Sequence, residues 1–434
     1  MMRRIATVLA VAALVPGGVA FAATPQTSLV SVTVDGAPAA GTSGRPSVST
    51  DGRYVAFAST APNLVRGDNN GVSDVFVRDR QTGVTTRVSV SSAGVEANGV
   101  SGNPSISGDG RYVVFESRAT NLITVNPGRF QNIYERDLVT GRTQRINYVD
   151  GQFTQPDGDS ADPVISADGQ HVAFDSVASN LGGTDTNGVS DVFRWDRHDW
   201  GFSSPTMISR NQFFYQGDGP SWGPSISADG SVVAYTSDAT DLDVRADSNN
   251  SSDVFVYDGR TTLVSRGFDG KLGNGASRDA TLSADGKHIV YESYATNLVP
   301  DDTNGRPDLF TARIRYWDTN SRVNVDPAGA VAGGAIGPRA SISADGRYVA
   351  FSSGEDGLAA NDINGTWDVL VRDTVAGATS LVSTTSGGTP GDNFSDEPSI
   401  STDGQHVAFK SQASNFVPGV PAGSANTYVR DLVS

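Results

Sequence analysis

The sequence predicts an all-β protein, a closed seven-bladed β-propeller with four antiparallel strands per blade, and three observations predict it. A signature recurs seven times along the 434 residues. The residues between signatures read as strands and turns. A segment near the N-terminus supplies the one strand that the C-terminal unit lacks.

The signature runs from Pro46 to Phe57 as PSVSTDGRYVAF and restarts at Pro104, Pro163, Pro224, Ala280, Ala340 and Pro398. Its Asp-Gly pair falls at Asp51, Asp109, Asp168, Asp229, Asp285, Asp345 and Asp403, spaced by 58, 59, 61, 56, 60 and 58 residues. A near-constant period of this size marks a repeat architecture.

Each unit reads as strands a to d. Strand a is short (Pro104–Ser107), and an Asp-Gly hairpin turn leads to strand b (Arg111–Phe115). A longer loop reaches strand c (Asp74–Asp79), and a Gly-bearing turn at 81–83 enters strand d (Thr85–Val90). Strands b and c are apolar on both faces, as in Val55 and Phe57 on one side and Tyr54 and Ala56 on the other. A sheet buried on both faces must sit between two others, which blades around an axis achieve.

The last unit stops after strand c at Tyr428–Asp431. Residues 27–36 match the d strands at 85–94 and 261–270, so this N-terminal strand is expected to complete the last blade and close the ring.

The pattern Ser-x-Asp-Gly-x-x-(Val/Ile)-Ala-Phe followed by Asp-(Val/Ile)-(Phe/Tyr)-Val-x-Asp resembles the WD-repeat-like propeller repeat of the TolB type. The resemblance spans nearly the whole chain after residue 22. It implies the propeller fold, and its blades serve periplasmic protein binding, peptidase caps and other roles. This chain departs from TolB itself in showing no separate α/β pattern before the first blade.

Bulk properties narrow the setting. Met1–Arg4 is basic, Ile5–Val15 is apolar, and Ala20-Phe21-Ala22 ends a small-residue stretch. That is the pattern of a secretory signal peptide, so residues 1–22 are expected to be removed and 23–434 to form a secreted or periplasmic propeller. The apolar run is too short for a membrane span. With Cys 0 the fold must rest on packing and closure. The formal charge of -16 argues against nucleic acid as a partner. Only six of the 48 acidic residues are Glu; the Asp excess suits turns, caps and oxygen-ligand loops.

Chain order puts the short a–b and c–d turns on one face and the long b–c and d–a loops on the other. Function is expected on the long-loop face. Its b–c loops repeat an Asp-x-Asn motif with a later Asp: Asp68, Asn70 and Asp74; Asp185, Asn187 and Asp191; Asp302, Asn304 and Asp308; Asp362, Asn364 and Asp368. Blade 4 carries it as Asp247, Asn249 and Asp253, while Asn132 and Asn426 replace the last Asp in blades 2 and 7. Alternating oxygen donors resemble part of a calcium loop, though no bidentate Glu follows. The competing reading is an Asx turn that starts strand c. Calcium is the candidate ion, and no other cofactor is implied.

The largest departure from the repeat is aromatic: Trp195, Trp200 and Phe202 near one c–d turn, then Phe213, Phe214, Tyr215 and Trp222. Tyr215, Trp222 and Trp367 are the candidate ligand-binding residues of the long-loop face, suited to a glycan or peptide. His171, His288 and His406 replace Tyr54, Tyr112 and Tyr348 and read as packing residues; His198 reads as a solvated turn residue. Catalytic motifs with Ser, Cys, zinc or phosphate-loop signatures are absent, and no catalytic residue is assigned. The expected function is a monomeric binding or scaffold module for a protein or cell-surface glycan. The alternative is a glycan lyase or hydrolase working over the central channel, marked by a unique cluster of carboxylates, Arg or His at the channel mouth.

Overall fold

The computed structural model describes residues 24–124, 129–149, 154–182, 185–198, 203–243, 248–330 and 335–432. The expected signal peptide lies outside them. Seven four-stranded antiparallel sheets make up the ring, and no helix occurs among the described residues. The protein is a seven-bladed β-propeller.

Blade 1 shows the common plan: strand a at Ser43–Val48, b at Tyr54–Ser59, c at Asp74–Asp79 and d at Val84–Arg87. Strand d is shorter than the sequence pattern implies. Val88 makes one more bond to strand c, its N–H donating to Val75 O at 2.7 Å, and a small hairpin follows in which Ser91 donates its N–H to Val95. These hairpins hook the next blade: Thr143 of blade 2 donates its hydroxyl to the Val90 carbonyl (2.6 Å), and Thr261 of blade 4 donates to Arg210.

The ring closes as the sequence requires. Gln26–Leu29 pairs antiparallel with Asn426–Asp431, placing Leu29 opposite Tyr428 and Thr27 opposite Arg430. Val30 is buried behind this strand, and Ser31 donates to Asn426 at 2.9 Å. The N-terminal pairing is shorter than residues 27–36, because residues 33–37 turn back on themselves.

Two repeated devices stabilise the blades from within, the first in six of them and the second in all seven. Cross-strand aromatic pairs join b to c, as in Phe57–Phe76 (5.8 Å between ring centres), Phe174–Phe193 (5.8 Å) and Phe409–Tyr428 (5.8 Å). Such a pair contributes about 0.5–1.5 kcal/mol beyond its burial. A buried polar bridge joins c to d: the residue that starts strand c accepts from a side chain just after strand d. Asp74 accepts from Ser89, Asp191 from Ser209, Asp308 from Asn324, Asp368 from Ser383 and Asn426 from Ser31.

At the short-loop end the a–b turns form a closed circle of hydrogen bonds between blades. It passes from Thr50 to Gly108, Ala167, Asp168 to Ala228, Ala284, Asp285 to Ala344, and Thr402, with main-chain distances of 2.9–3.2 Å. The Thr402 hydroxyl returns to the Thr50 carbonyl at 3.1 Å. The Gly of six Asp-Gly turns lies under a ring of the preceding blade, and Gly286 lies under Val232. A Cβ on Gly230, which has φ +67°, would fall 2.2 Å from the His171 ring. His171 and His406 also pair with Asp196 (2.7 Å) and Asp431 (2.6 Å), where other blades use Arg53–Asp79 or Arg111–Asp137. His198 is exposed.

Candidate functional site

Strand a is innermost in every blade, so its side chains face the axis. In the half nearest the long loops strand a carries a bulge in six blades, as between Gly44 and Ser47 and between Ala161 and Val164, whereas in blade 6 the strand starts only at Ser341. One residue per blade at this level lies in the left-handed region: Arg45, Asn103, Asp162, Gly223, Asp279, Arg339 and Glu397, with φ between 45° and 64°. Six of the seven are not glycine, so the ring carries backbone strain of roughly 1 kcal/mol per residue. This geometry turns the residue before the repeated Pro into the lumen.

The result is a channel mouth of about 360 Å³ lined by Arg45, Asn103, Asp162, Trp222, Asp279, Arg339 and Glu397 among prolines and serines. Its charges are arranged without seven-fold symmetry. Arg339 reaches across the lumen and donates to Asp162 Oδ1 at 2.8 Å, while Asn103 donates to the same oxygen at 3.2 Å. Arg45 donates to the Asn103 side chain, and its own N–H donates to Glu397 Oε2 at 2.6 Å. A polar chain thus links blade 1 through blade 3 to blade 6.

Behind this layer stand two further carboxylates on strand b. Glu116 accepts the Asp162 N–H at 3.2 Å, and Asp175 accepts the Gly223 N–H at 3.1 Å. Neither makes an ion pair among the described residues, unlike Glu292 with Arg278 (3.2 Å) or Glu397 with Lys410 (3.4 Å). Burial pushes the Asp175 carboxyl up to about 7, helped by the Asp162 and Glu116 charges and opposed by the Gly223 N–H. Burial also raises Glu116 and Asp279, and raises Asp396 to about 6 beside Glu397. A carboxyl poised near neutrality can exchange protons or accept a cation.

The sequence-predicted aromatics are not brought together. Trp222 lines the lumen, partly buried. Tyr215 is 70% exposed on the hairpin at 211–215, which hooks blade 4 at its outer strand. Trp367 packs at a tilt against Phe394, 5.8 Å between ring centres, and covers Gly354. Trp195 is core, and Trp200 and Phe202 lie outside the described residues. Phe214 sits at φ 65° where the matching turns have Gly94 or Gly270.

The b–c loops differ from blade to blade in their charge balance. In blade 1 Asp68, Asp74 and Glu96 converge within ligand distance of one another, and Arg87 occupies their centre, 3.7 Å from Asp68 and 3.8 Å from Asp74. In blade 5 Arg322 lies 3.3 Å from Asp302 and 3.0 Å from Asp308. Asn70 and Asn304 turn their amide nitrogens to the later Asp and accept an N–H two residues on at 3.0 Å, an Asx turn. Asn187 accepts from Val189 at 3.0 Å, and Asn364 from Thr366 at 3.4 Å. Asp185, Asp191, Asp362 and Asp368 have no such arginine. Burial, then the Asp368 and Asp356 charges, push Asp362 up to about 7. Burial, with the Asp185 charge and against the Ser209 hydroxyl, raises Asp191 to about 6. Asp247 of blade 4 lies outside the described residues.

The channel residues were missed by reasoning that looked only at loops. Their signal is in the sequence: the position before the repeated Pro varies from Arg45 through Asn103, Asp162, Gly223, Asp279 and Arg339 to Glu397, while the residue after it is Pro or Ala in every blade.

Comparison with known proteins places the fold. No family model and no curated protein matches the sequence. Among solved structures, an oligogalacturonate lyase in complex with manganese overlays with a TM-score of 0.55 at 16% identity, covering 94% of this chain and 96% of that one. The β-propeller domain of the trilobed protease from Pyrococcus furiosus gives 0.54 at 13% identity over 91% of this chain and 94% of that one. A TolB from Agrobacterium tumefaciens gives 0.42 at 16% identity over 81% of this chain and 95% of that one. At these identities the likeness is one of fold alone. No helix among the described residues is long and apolar enough to cross a membrane.

Proposed function

We propose that this chain is an exported binding module whose channel mouth receives a cationic segment of a protein partner on the long-loop face. The observation that carries the reading is the unpaired pair Glu116 and Asp175 behind Asp162, Asp279 and Glu397. Together they outnumber the two lumen guanidiniums, Arg45 and Arg339. An ammonium or guanidinium entering the mouth gains charge-assisted hydrogen bonds and relieves like-charge repulsion. Trp222 on the wall offers a ring face to the same group. The polar chain from Arg45 to Arg339 holds the acceptors in fixed positions, which lowers the ordering cost of binding. The basic start and apolar run before Ala22 support export.

The enzyme reading draws on one observation, the Asp175 carboxyl near 7 beside Asp162, a pairing able to serve as acid and base. The excess of carboxylates disfavours an acidic glycan as its substrate, because each added anion would meet a lumen already short of positive charge. An amino-sugar oligosaccharide is the substrate class it leaves open.

The test is affinity capture from cell-envelope extract on immobilised protein, comparing wild type with an Asp162→Asn, Glu397→Gln variant. A basic partner retained by wild type, released by salt and lost from the variant is the expected result. Equal capture by both proteins overturns the lumen reading. Turnover of a chitosan oligosaccharide that Asp175→Asn abolishes would favour the enzyme.

A further inference from the structure

Strand d presents a different residue to the b–c loop in different blades. Opposite Phe76 and Phe310 stand Arg87 and Arg322; opposite Phe193 and Leu370 stand Met207 and Leu381. Where the arginine is present, its guanidinium lies between the two Asp of the loop at 3.0–3.8 Å. Where it is replaced by Met or Leu, the same two Asp face each other with no cation between them.

The consequence is visible atom by atom. Asp362 is 1% exposed, and both its carboxylate oxygens lack a hydrogen-bond partner. Asp368 is fully buried; its Oδ1 accepts from Ser383 and its Oδ2 has no partner. Blade 3 repeats this with Asp191 Oδ2 and Asp185 Oδ2, both buried and unpartnered, while Ser209 holds Asp191 Oδ1 at 2.6 Å. The Asn of each loop leaves those oxygens open. Asn187 and Asn364 donate to Gly217 O (2.8 Å) and Gly391 O (2.9 Å). Two buried carboxylates with open oxygens and no counter-charge are costly to assemble, and a fold retains them where something positive completes the site.

We propose that blades 3 and 6 each hold a hard divalent cation, calcium by ligand class, between Asp185 and Asp191 and between Asp362 and Asp368, in the place that Arg87 and Arg322 fill in blades 1 and 5. The donor set is oxygen only, which selects calcium or magnesium over soft metals. The arginine blades show that the loop is built around a positive charge and needs one at that spot. Met207 and Leu381 are too short and apolar to supply it. In blade 6, Asp356 stands close enough to act electrostatically on both Asp362 and Asp368, which deepens the demand for a cation there. These sites lie between strands c and d, outward of the channel, so they stand or fall independently of the lumen reading.

The test is calorimetric titration of calcium chloride, with magnesium chloride as a second arm, into chelator-treated full-length mature protein at pH 8. Melting curves in calcium and in chelator accompany it. Two bound ions and a higher melting temperature in calcium are expected. Leu381→Arg and Asp362→Asn should each reduce the stoichiometry from two to one with the fold intact, because each removes the need for the ion. Met207→Arg with Leu381→Arg should abolish binding and make the two melting curves coincide. Identical wild-type melts and no heat of binding at millimolar calcium would overturn the proposal. So would an unchanged stoichiometry in a folded double arginine variant. In that event the carboxylate pairs carry a proton instead.

Discussion

The two ends of the channel are built from the same seven strands and behave oppositely. At the short-loop end every blade keeps the same Ser-x-Asp-Gly turn, and these turns join in a circle of hydrogen bonds from Thr50 round to Thr402. At the long-loop end the left-handed residue at the start of the same wall changes sign and size from Arg45 to Asp162 to Arg339. Uniformity there would serve assembly; its absence marks the part of the wall released from building the ring. The comparison teaches where to look in a repeat protein, at positions of fixed geometry and free chemistry.

Changes to the shared frame should cost most. Deleting residues 24–33 removes the pairing of Leu29 with Tyr428 and exposes the site of Val30. The expected loss is about 5 kcal/mol, comparable to the whole stability of an ordinary domain, read as a collapse of the cooperative melt. A truncated protein that melts like the full chain would contradict the closure.

The lumen has its own signature in pH. The folded Asp175 carboxyl is raised above its unfolded value near 3.9, so the native state holds a proton that the unfolded chain releases. Stability should therefore be greatest below about 4 for this group and fall as pH rises to about 7, then level off. The loss is up to about 4 kcal/mol for a three-unit shift. Denaturant titrations of Asp175→Asn across that range should show a flatter profile than wild type.

Paired substitutions at the two ends sharpen the contrast. Gly230→Ala drives a Cβ into the His171 ring at positive φ and should cost about 3 kcal/mol. Arg339→Ala at the mouth, where the side chain is 55% exposed, should change stability by no more than about 1 kcal/mol. Comparable losses from the two would erase the distinction. An effect of similar size is a gain. Phe214→Gly relieves a left-handed aromatic at a turn where other blades use glycine, and should stabilise by about 1 kcal/mol in the same melts.

Much of the frame was legible because its causes are local. Asp51 and its six counterparts accept the N–H two residues on, as Asp51 does from Arg53 at 3.0 Å, so the turn advertises itself in sequence. Closure was legible because the missing strand had a matching segment at 27–36. The site was not, for a physical reason: a left-handed backbone turn decides that Arg45 and Arg339 face the lumen, and the pattern of residue types does not reveal it. The aromatic cluster misled because nearness in sequence between Tyr215 and Trp222 becomes separation between the outer edge and the axis. The Asp-x-Asn loops look alike in sequence, and only the partner across strand d, Arg87 or Leu381, sets them apart.

The central claim is that the channel mouth is a receptor for positive charge. Calorimetric titration of a tetralysine peptide into wild type and into an Asp162→Asn, Asp175→Asn variant tests it most directly. Wild type should bind with an affinity that weakens as salt rises, and the variant at least about tenfold less well. Equal binding by the two proteins, or no binding to wild type at low salt, would contradict it.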